Sequence, residues 1–428
     1  MEISELYNLY KQYPEVSTDT RNSPVNSIFF ALKGANFNGN EYAEKAIDSG
    51  CSYAVVDEAK YATRPNIIIV EDSLETLQKL ANYHRRQIKT PIIAITGTNG
   101  KTTTKELITT ILAQEYNVIS TQGNLNNHIG VPLTLLRIKK EHEIAIVEMG
   151  ANHVGEIKFL SEITEPNYGI ITNLGHAHIE GFGSFENVVK AKGELYEYIR
   201  STANGKIFID HSNTLLREMS EGITSIYYGL EDDLFVSGKV LSISPYLEFE
   251  WKFLNTRKKV KTKLIGEYNL PNLLAAITAG KYMGVNSDRI CEAIANYEPT
   301  NNRSQLKETG KNMLIIDAYN ANPTSMHAAL ENFDHMNVQR KVLILGDMKE
   351  LGADSDFEHQ KIADYITQHS FDEVLFVGEN FSKVKTDYLR FKTLNELRDH
   401  ILKYPISDSY ILLKGSRGVQ LERCIDLL

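Results

Sequence analysis

The stretch IIAITGTNGKTTTKEL, residues 92–107, places two glycines, a lysine and a run of threonines between two regular patterns. The run IIAIT is rich in β-branched residues, which is typical of a buried parallel strand. The residues that follow, TTTKELITTILAQEY, show a helical pattern. Glycines let successive backbone N–H groups point inward, and a helix N-terminus adds positive charge. The stretch therefore predicts a strand, an anion-binding loop and a helix.

The residue types in the loop indicate nucleotide binding. Lys101 supplies a positive charge for phosphates, and Thr102 supplies a hydroxyl that can bind Mg²⁺. The strict pattern G-x-x-x-x-G-K-[ST] fails because Ile95 stands at its first glycine, so the loop is the shorter G-x-x-G-K-T. A glycine turn with a solvated lysine is the alternative. The residues predicted to bind the nucleotide here are Gly97, Thr98, Asn99, Gly100, Lys101, Thr102 and Thr103.

Length and composition limit the class of protein. A chain of 428 residues is too long for one hydrophobic core. No apolar run approaches the roughly 18–20 residues that cross a bilayer, so we expect no membrane insertion. The N-terminus lacks a signal-peptide pattern, and the three cysteines are widely separated, which favours reduced thiols in the cytoplasm. The net charge of −9 argues against nucleic-acid binding.

Alternation of strands and helices predicts an α/β protein of three domains. Residues 1–88 read as a small N-terminal α/β domain. Residues 89–302 predict a central doubly wound, mostly parallel sheet with the phosphate loop, in which ligands bind at the carboxyl ends of strands. Within it, FVSGKVLSISPYLEFEWKFL predicts an antiparallel hairpin. Alternation restarts in residues 303–428, which predicts a third domain with its own sheet.

Further polar residues follow other predicted strands. Glu148 directly follows the apolar run IAIV, and a carboxylate beside phosphates suits Mg²⁺. His176 and His178 follow YGIIT, and Lys192 lies in a helical pattern. Taken singly, Glu148 could be a helix N-cap or a surface acid. Two histidines in a loop are more often structural than metal ligands, and a lone lysine in a helix is usually solvated.

Together the motifs resemble the Mur ligase family over nearly the whole chain. The motifs that carry the resemblance are GTNGKTT, EMGANHVGEI, AHIEGFGS, AKGE, GEYNLPN, DAYNANPTS, LGDMKELG and LLKGSRG. The motifs DAYNANPTS and LGDMKELG are similar to those of members that join D-alanyl-D-alanine to UDP-N-acetylmuramoyl-tripeptide. The N-terminal segment that begins STDTRNSPVN is also similar.

The resemblance implies a cytoplasmic ligase of peptidoglycan precursor synthesis that uses ATP and Mg²⁺. The first domain would hold the uridine nucleotide of the substrate and the second ATP. The third, a Rossmann-like domain, would close over ATP and bring the amine. A peptide carboxylate would attack the γ-phosphate to give an acyl phosphate and ADP, and the amine of D-Ala-D-Ala would then displace phosphate. We expect a monomer.

The resemblance also implies roles for individual residues. Lys101, Lys192 and His178 would be catalytic. The implied magnesium-binding residues are Thr102, Glu148, His178 and a carbamylated Lys192. Asn269, Asn272, Arg303 and Asp317 would bind ATP beyond the loop. The implied substrate-binding residues are Ser17, Thr18, Asp19, Arg21, Asn124, Asn126, Asn127, Asn320, Asn322, Lys414 and Arg417.

Other functions remain open at this point. A sibling ligase that adds the third peptide residue shares the loop, and so does a folylpolyglutamate synthase, which lacks the N-terminal domain. A nucleotide-dependent switch without ligation would need no second metal. A nicotinamide enzyme is disfavoured because no G-x-G-x-x-G follows a predicted strand.

Overall fold

The structure is a computed structural model that describes residues 1–176, 179–299 and 302–428. Its described part forms three larger sheets of four, nine and six strands and one small two-stranded ribbon. The predicted α/β class with a mostly parallel central sheet is confirmed. Within the described residues, no helix is both long and apolar enough to cross a membrane.

The first part of the chain builds a four-stranded parallel sheet in the order β1-β2-β5-β6. Its helix α3 has a regular amphipathic pattern and buries Leu77 and Leu80 in a core shared with the central domain. The elements are α1 (Ile3–Gln12), β1 (Glu15–Ser17), β2 (Ser27–Phe30), β3 (Lys33–Gly34), β4 (Phe37–Asn38), α2 (Ala43–Asp48), β5 (Tyr53–Val56), β6 (Ile67–Ile69) and α3 (Ser73–Gln87).

The central nine-stranded sheet has the order β15-β14-β13-β12-β11-β10-β7-β9-β8. The strands from β13 to β8 pair in parallel, and β13, β14 and β15 pair antiparallel, so the predicted hairpin is present. The elements are β7 (Ile92–Thr96), α4 (Lys101–Leu112), β8 (Val118–Ser120), α5 (Gly130–Leu136), β9 (Ile144–Glu148), α6 (Glu156–Thr164), β10 (Tyr168–Ile171), α7 (Ile179–Phe182), α8 (Phe185–Ser201), β11 (Lys206–Asp210), α9 (Thr214–Met219), β12 (Thr224–Gly229), β13 (Val236–Ser242), β14 (Glu248–Phe253), β15 (Thr256–Lys261), α10 (Leu270–Tyr282) and α11 (Ser287–Asn296).

Helices cover both faces of this sheet because its parallel strands are apolar on both sides. Leu107, Ile108 and Ile111 of α4 pack with α10 and α11 on one face, and α5, α6 and α8 pack on the other. Strand β7 lies between β9 and β10, which the chain reaches by crossing to opposite sides. The loop after β7 therefore sits at a topological switch point, where open α/β sheets bind ligands.

The third sheet has the order β16-β17-β21-β18-β19-β20, parallel except for the β16–β17 pair. Apolar residues cover both of its faces. The elements are β16 (Gln305–Glu308), β17 (Met313–Asp317), α12 (Pro323–His335), β18 (Lys341–Gly346), α13 (Ser355–Thr367), β19 (Glu373–Val377), β20 (Leu389–Phe391), α14 (Leu394–Lys403) and β21 (Tyr410–Lys414). The boundaries predicted after residues 88 and 302 remain predictions.

Candidate active site

A cavity of about 750 Å³ opens between the central and third sheets, at the carboxyl ends of β7, β9, β17 and β21. Residues of the central domain and of the third domain both form the cavity wall, so a ligand bound in the cavity would contact both domains. Of the residues singled out from the sequence, those that line it are Thr98, Asn99, Gly100, Lys101, Thr102, Thr103, Asn124, Asn126, Asn127, Glu148, Asn269, Asn272, Arg303, Asp317, Asn320 and Lys414.

The phosphate loop is tied to the end of β10. The backbone N–H groups of Thr98 and Asn99 donate to Asn173, at 3.0 Å to its carbonyl and 2.9 Å to its side-chain oxygen. In return, the Thr172 hydroxyl and the Asn173 amide donate to the carbonyl of Asn99 at 2.6 and 3.1 Å. These bonds fix the loop before any ligand arrives, which reduces the ordering cost of binding.

Glycine is required at two loop positions. Gly97 has φ 139°, and a β-carbon there would lie 2.1 Å from the Thr172 hydroxyl oxygen. Gly100 has φ 78°, and a β-carbon there would lie 2.4 Å from the side-chain oxygen of Asn272. Gly100 also precedes α4, whose first N–H groups lack intrahelical partners and are left for an anion.

We expect Gly100→Ala to weaken nucleotide binding at least about tenfold, because the methyl group must displace Asn272 and the left-handed backbone itself costs about 1–2 kcal/mol with a side chain. Calorimetric titration with a non-hydrolysable ATP analogue measures the effect. Gly310→Ala is the matched control, since Gly310 has φ 82° with no atom within 4 Å of the added carbon. Equal affinities of the Gly100 and Gly310 variants would contradict this account of the loop.

Lys101 folds back over its own loop. Its Nζ donates to the carbonyls of Gly97 and Thr98 at 2.8 and 2.9 Å. Burial lowers the pKa of Lys101, Glu148 opposes that shift, and the Arg303 cation adds to it. Two cations that face one cavity and disfavour each other are expected where a polyanion binds.

Glu148 lies at the end of β9, only 2 % exposed. Its Oε1 accepts a bond of 2.8 Å from the Asn126 amide, while its Oε2 is buried without a hydrogen-bond partner in the described structure. The Glu148 backbone N–H donates to the Thr121 hydroxyl at 2.9 Å. A held carboxylate with one unsatisfied oxygen, lining the same cavity as Thr102, has the chemistry of a Mg²⁺ site.

No group of three His, Cys, Asp or Glu side chains that could hold a metal occurs within residues 1–176, 179–299 and 302–428. Mg²⁺ beside phosphates needs only one or two carboxylates, so Glu148 and Thr102 fit that ion. The predicted metal ligand His178 lies outside the described residues. His176 stacks on Phe185, with ring centroids 4.7 Å apart.

Lys192 is buried in α8 and does not line the described cavity. Its Nζ donates to the carbonyl of Ala151 at 3.3 Å and lies 5.3 Å from the ring centroid of Phe182. Burial, and then the nearby Lys101 cation, lowers the pKa of Lys192 from 10.5 to about 7. A large fraction of this amine is therefore neutral and nucleophilic near neutral pH.

The third domain contributes a buried ion pair. Asp317 and Lys414 end the paired strands β17 and β21 at the same register and form a salt bridge. Lys414 is 1 % exposed and Asp317 also accepts from the Ser304 N–H at 3.4 Å. Lys414, predicted to hold a substrate carboxylate, therefore already has a carboxylate partner.

A direct contact joins the phosphate loop to the third domain. The Asn322 amide donates to the side-chain oxygen of Asn99 at 2.8 Å, and the reverse bond measures 3.5 Å. Asn322 also caps α12 in a capping box with Ser325. Asn322 thus meets the predicted nucleotide loop, although it is not in the cavity wall.

The two asparagines of GEYNLPN brace the loop. Asn272 accepts from the Thr104 hydroxyl at 3.2 Å and donates to Asn269 at 2.9 Å, and Asn269 donates to the carbonyl of Ile265 at 2.8 Å. Tyr268, which precedes them, exchanges a hydrogen bond of 3.0 Å with Ser304. The structure thus gives Asn272 a supporting contact with the loop, and adenine contact stays a prediction.

The residues predicted to hold the uridine nucleotide form a separate turn outside this cavity. Ser17 accepts from the Asp19 N–H at 3.1 Å, and Arg21 makes a two-point ion pair with Asp19. This pairing lowers the pKa of Asp19 to about 2. Thr18 lies in the same turn, and Arg21 is exposed at the surface. Their substrate contacts remain predictions.

The remaining predicted residues line or border the cavity. Asn124 and Asn127 are exposed in the loop before α5, where the Asn127 side chain accepts from the Gly130 N–H at 2.9 Å. Asn320 is exposed after β17. Arg417 is exposed after β21.

Sequence reasoning missed Thr172 and Asn173, which anchor the loop. The signal was present, since they are polar residues that directly follow the apolar strand YGII. It also missed Tyr319, whose ring lies against Arg303 in the cavity wall.

Comparison with known proteins places this fold and site. Profiles of the Mur ligase middle domain and of the Mur ligase, glutamate ligase domain match residues 95–280 and 302–417. The chain is 32% identical to the UDP-N-acetylmuramoyl-tripeptide–D-alanyl-D-alanine ligase of Bacillus subtilis, with 96% of this chain and 92% of that protein covered. It is 33% identical to the protein of the same name from Escherichia coli, covering 96% and 93%. A crystal structure of MurF from Acinetobacter baumannii superposes with a TM-score of 0.88 at 29% identity, covering 99% of this chain and 98% of that chain.

The fold and the cavity define a three-sheet α/β protein with a nucleotide-type phosphate loop at a domain boundary. The chain belongs to the Mur ligase family. The family resemblance expected from the motifs is thereby confirmed.

Proposed function

We propose that this chain is an ATP-dependent ligase that joins D-alanyl-D-alanine to UDP-N-acetylmuramoyl-tripeptide in peptidoglycan precursor synthesis. The observation that carries the proposal is its similarity, over 96% of the chain, to relatives that bear the name of that ligase. The cavity between the central and third domains gives the reaction a place, because it is lined by the phosphate loop and by cations of the third domain.

ATP fits the loop by its phosphates. The first N–H groups of α4 and the Lys101 ammonium face the cavity, and Lys101 can exchange its two loop carbonyls for phosphate oxygens. Glu148 and Thr102 would hold a magnesium ion, for which the unsatisfied Glu148 Oε2 is suited. That ion would supply positive charge beside the terminal phosphates. Arg303 and Asp317 stand across the cavity for phosphate and ribose.

The first chemical step joins two anions, so the site must neutralise and align them. The tripeptide carboxylate attacks the γ-phosphorus, the bond to the β-phosphate oxygen breaks, and ADP leaves with that electron pair. Lys101 and Arg303, which both line the cavity, would offset the negative charge of the phosphates. Closure of the third domain over the cavity would keep water from the resulting acyl phosphate.

The second step forms the peptide bond. The amine of D-Ala-D-Ala attacks the acyl carbon, loses a proton and expels phosphate. Arg417 is exposed beside the cavity and carries no carboxylate partner among the described residues, so it can accept the dipeptide carboxylate. Lys414 would help indirectly, by holding Asp317 in place.

Lys192 is proposed to act as a carbamate. A neutral lysine amine adds to CO₂ and loses a proton to give an anion that resembles a carboxylate. The lowered pKa of Lys192, about 7, supports this step, because only the neutral amine reacts. Its position beside the Ala151 carbonyl, close to the end of β9, brings the group toward the proposed magnesium site.

Substrate-dependent phosphate release tests the proposed function. We expect release from ATP and Mg²⁺ to require both UDP-N-acetylmuramoyl-tripeptide and D-Ala-D-Ala, with the pentapeptide product identified by mass spectrometry. Release that is indifferent to both substrates would favour a nucleotide switch. Release with a single amino acid in place of D-Ala-D-Ala would favour a sibling ligase. Tripeptides with different third residues, supplied in parallel, identify that residue.

A further inference from the structure

Two arginines approach one aromatic ring at the mouth of the third domain. The guanidinium carbon of Arg303 lies 3.8 Å from the ring centroid of Tyr319, and that of Arg417 lies 5.8 Å away. A cation within about 6 Å of a ring centroid is attracted by the π-electrons, more strongly when it is shielded from water. Tyr319 and Arg303 both line the cavity.

Arg303 is otherwise weakly held at its head group. Its Nε is buried and has no hydrogen-bond partner, and it has no ion pair with any carboxylate of the described chain. A buried, unpaired donor is costly, so it indicates a partner that arrives with the ligand. Until then, the stacking on Tyr319 is the described contact that orients the guanidinium.

The backbone at Arg303 is held in a strained form. The residues on either side, Asn302 and Ser304, have φ values of 56° and 47°. Ser304 is fixed from two directions, by the Tyr268 hydroxyl at 3.0 Å and by Asp317 at 3.4 Å. Left-handed residues of this kind persist only where their surroundings over-determine them, which is common at ligand sites.

We propose that Tyr319 is a positioning residue that holds Arg303, by stacking, in the orientation in which its free N–H groups meet the phosphates of the bound nucleotide. The inference rests on the proposed function only as far as nucleotide binding. The influence of Arg303 on the pKa of Lys101 agrees with it, because the two cations act on the same space.

We expect the aromatic ring of Tyr319, and not its hydroxyl group, to orient Arg303. Variants that keep or remove the ring therefore distinguish this role from a purely structural one. Tyr319→Phe keeps the stacking surface and should bind an ATP analogue with Mg²⁺ within about twofold of the wild type. Tyr319→Leu removes the π-electrons at similar volume and should weaken binding about 5- to 30-fold, which corresponds to the energy of a shielded cation–π contact.

A double-mutant cycle tests the route of the effect. In an Arg303→Ala background, Tyr319→Leu should change nucleotide affinity by less than about twofold, since the positioned group is gone. In an Arg417→Ala background it should keep most of its effect, because Arg417 is the more distant cation. Thermal unfolding of each variant shows whether it is folded at the temperature of the titration.

Two results would overturn the inference: an equal loss in Tyr319→Phe and Tyr319→Leu, or a Tyr319→Leu loss that persists undiminished without Arg303. If Tyr319→Leu does not fold, Tyr319→His at a pH where the imidazole is protonated takes its place. Weakened binding by Tyr319→His with unaltered binding by Tyr319→Phe then supports the inference. Equal binding by these two variants overturns it. If the double-mutant cycle gives the expected result but the wild-type protein shows no ligase activity with D-Ala-D-Ala, the proposed function alone is contradicted.

Discussion

Lys101→Ala is expected to lower kcat by about 100- to 1,000-fold, the range found when one charge-stabilising donor of a shielded active site is removed. Lys101 is the cation of the phosphate loop, and its Nζ is held between the carbonyls of Gly97 and Thr98 at the cavity wall. Its removal leaves the attacking carboxylate and the γ-phosphate to repel each other. Phosphate release with both substrates saturating measures the loss.

Two further variants show whether the loss comes from the chemistry of Lys101 or from a general effect on the protein. Lys89→Ala removes the same charge from an exposed position just before β7 and should retain activity. Lys101→Arg keeps the charge but not the compact ammonium that fits between the two loop carbonyls, so only partial activity is expected. A kcat for Lys101→Ala within about threefold of wild type would refute the assignment of this loop to the γ-phosphate.

Much of the fold could be predicted from the sequence because its signals are local. The buried strand, the two glycines and the amphipathic helix at residues 92–112 each report their own conformation, and they follow each other in the chain. The same holds for the antiparallel pair β13 and β14, which alternates in sequence. The mostly parallel sheet follows from repeated strand–helix alternation.

The contacts that complete the site could not be predicted in this way, since they join distant parts of the chain. Asn99 and Asn322 are 223 positions apart, and each is an ordinary turn residue in its local sequence. Lys414 looks like a free cation until the parallel register of β17 and β21 places Asp317 beside it. The stacking of Arg303 on Tyr319 likewise depends on how the chain enters the third domain.

Lys192→Ala is expected to lower activity by about 10- to 100-fold, the range found when a group that supports a metal site is removed. The variant cannot form a carbamate, so bicarbonate should not restore activity, whereas a short carboxylic acid in solution should restore part of it. The exposed Lys190→Ala, on the same helix, is the matched control and should behave as wild type.

The pKa of Lys192 gives this prediction a pH dependence and a second readout. Since the pKa is lowered to about 7, the amine is mostly neutral above that pH, and its neutral fraction falls about tenfold for each pH unit below it. Carbon NMR with labelled bicarbonate should therefore show a lysine carbamate that weakens as the pH falls from about 8 to about 6 and is absent in Lys192→Ala.

The lowered pKa of Lys192 also predicts how protein stability depends on pH, which can be measured without an activity assay. In the unmodified protein the unfolded chain binds the Lys192 proton up to its ordinary pKa of 10.5, while the folded chain releases it near 7. The free energy of unfolding should therefore rise with pH between these values, and Lys192→Ala should lack that part of the rise.

Full activity in Lys192→Ala would remove this residue from the mechanism, and a carbamate signal that persists in the variant would place the modification on another lysine.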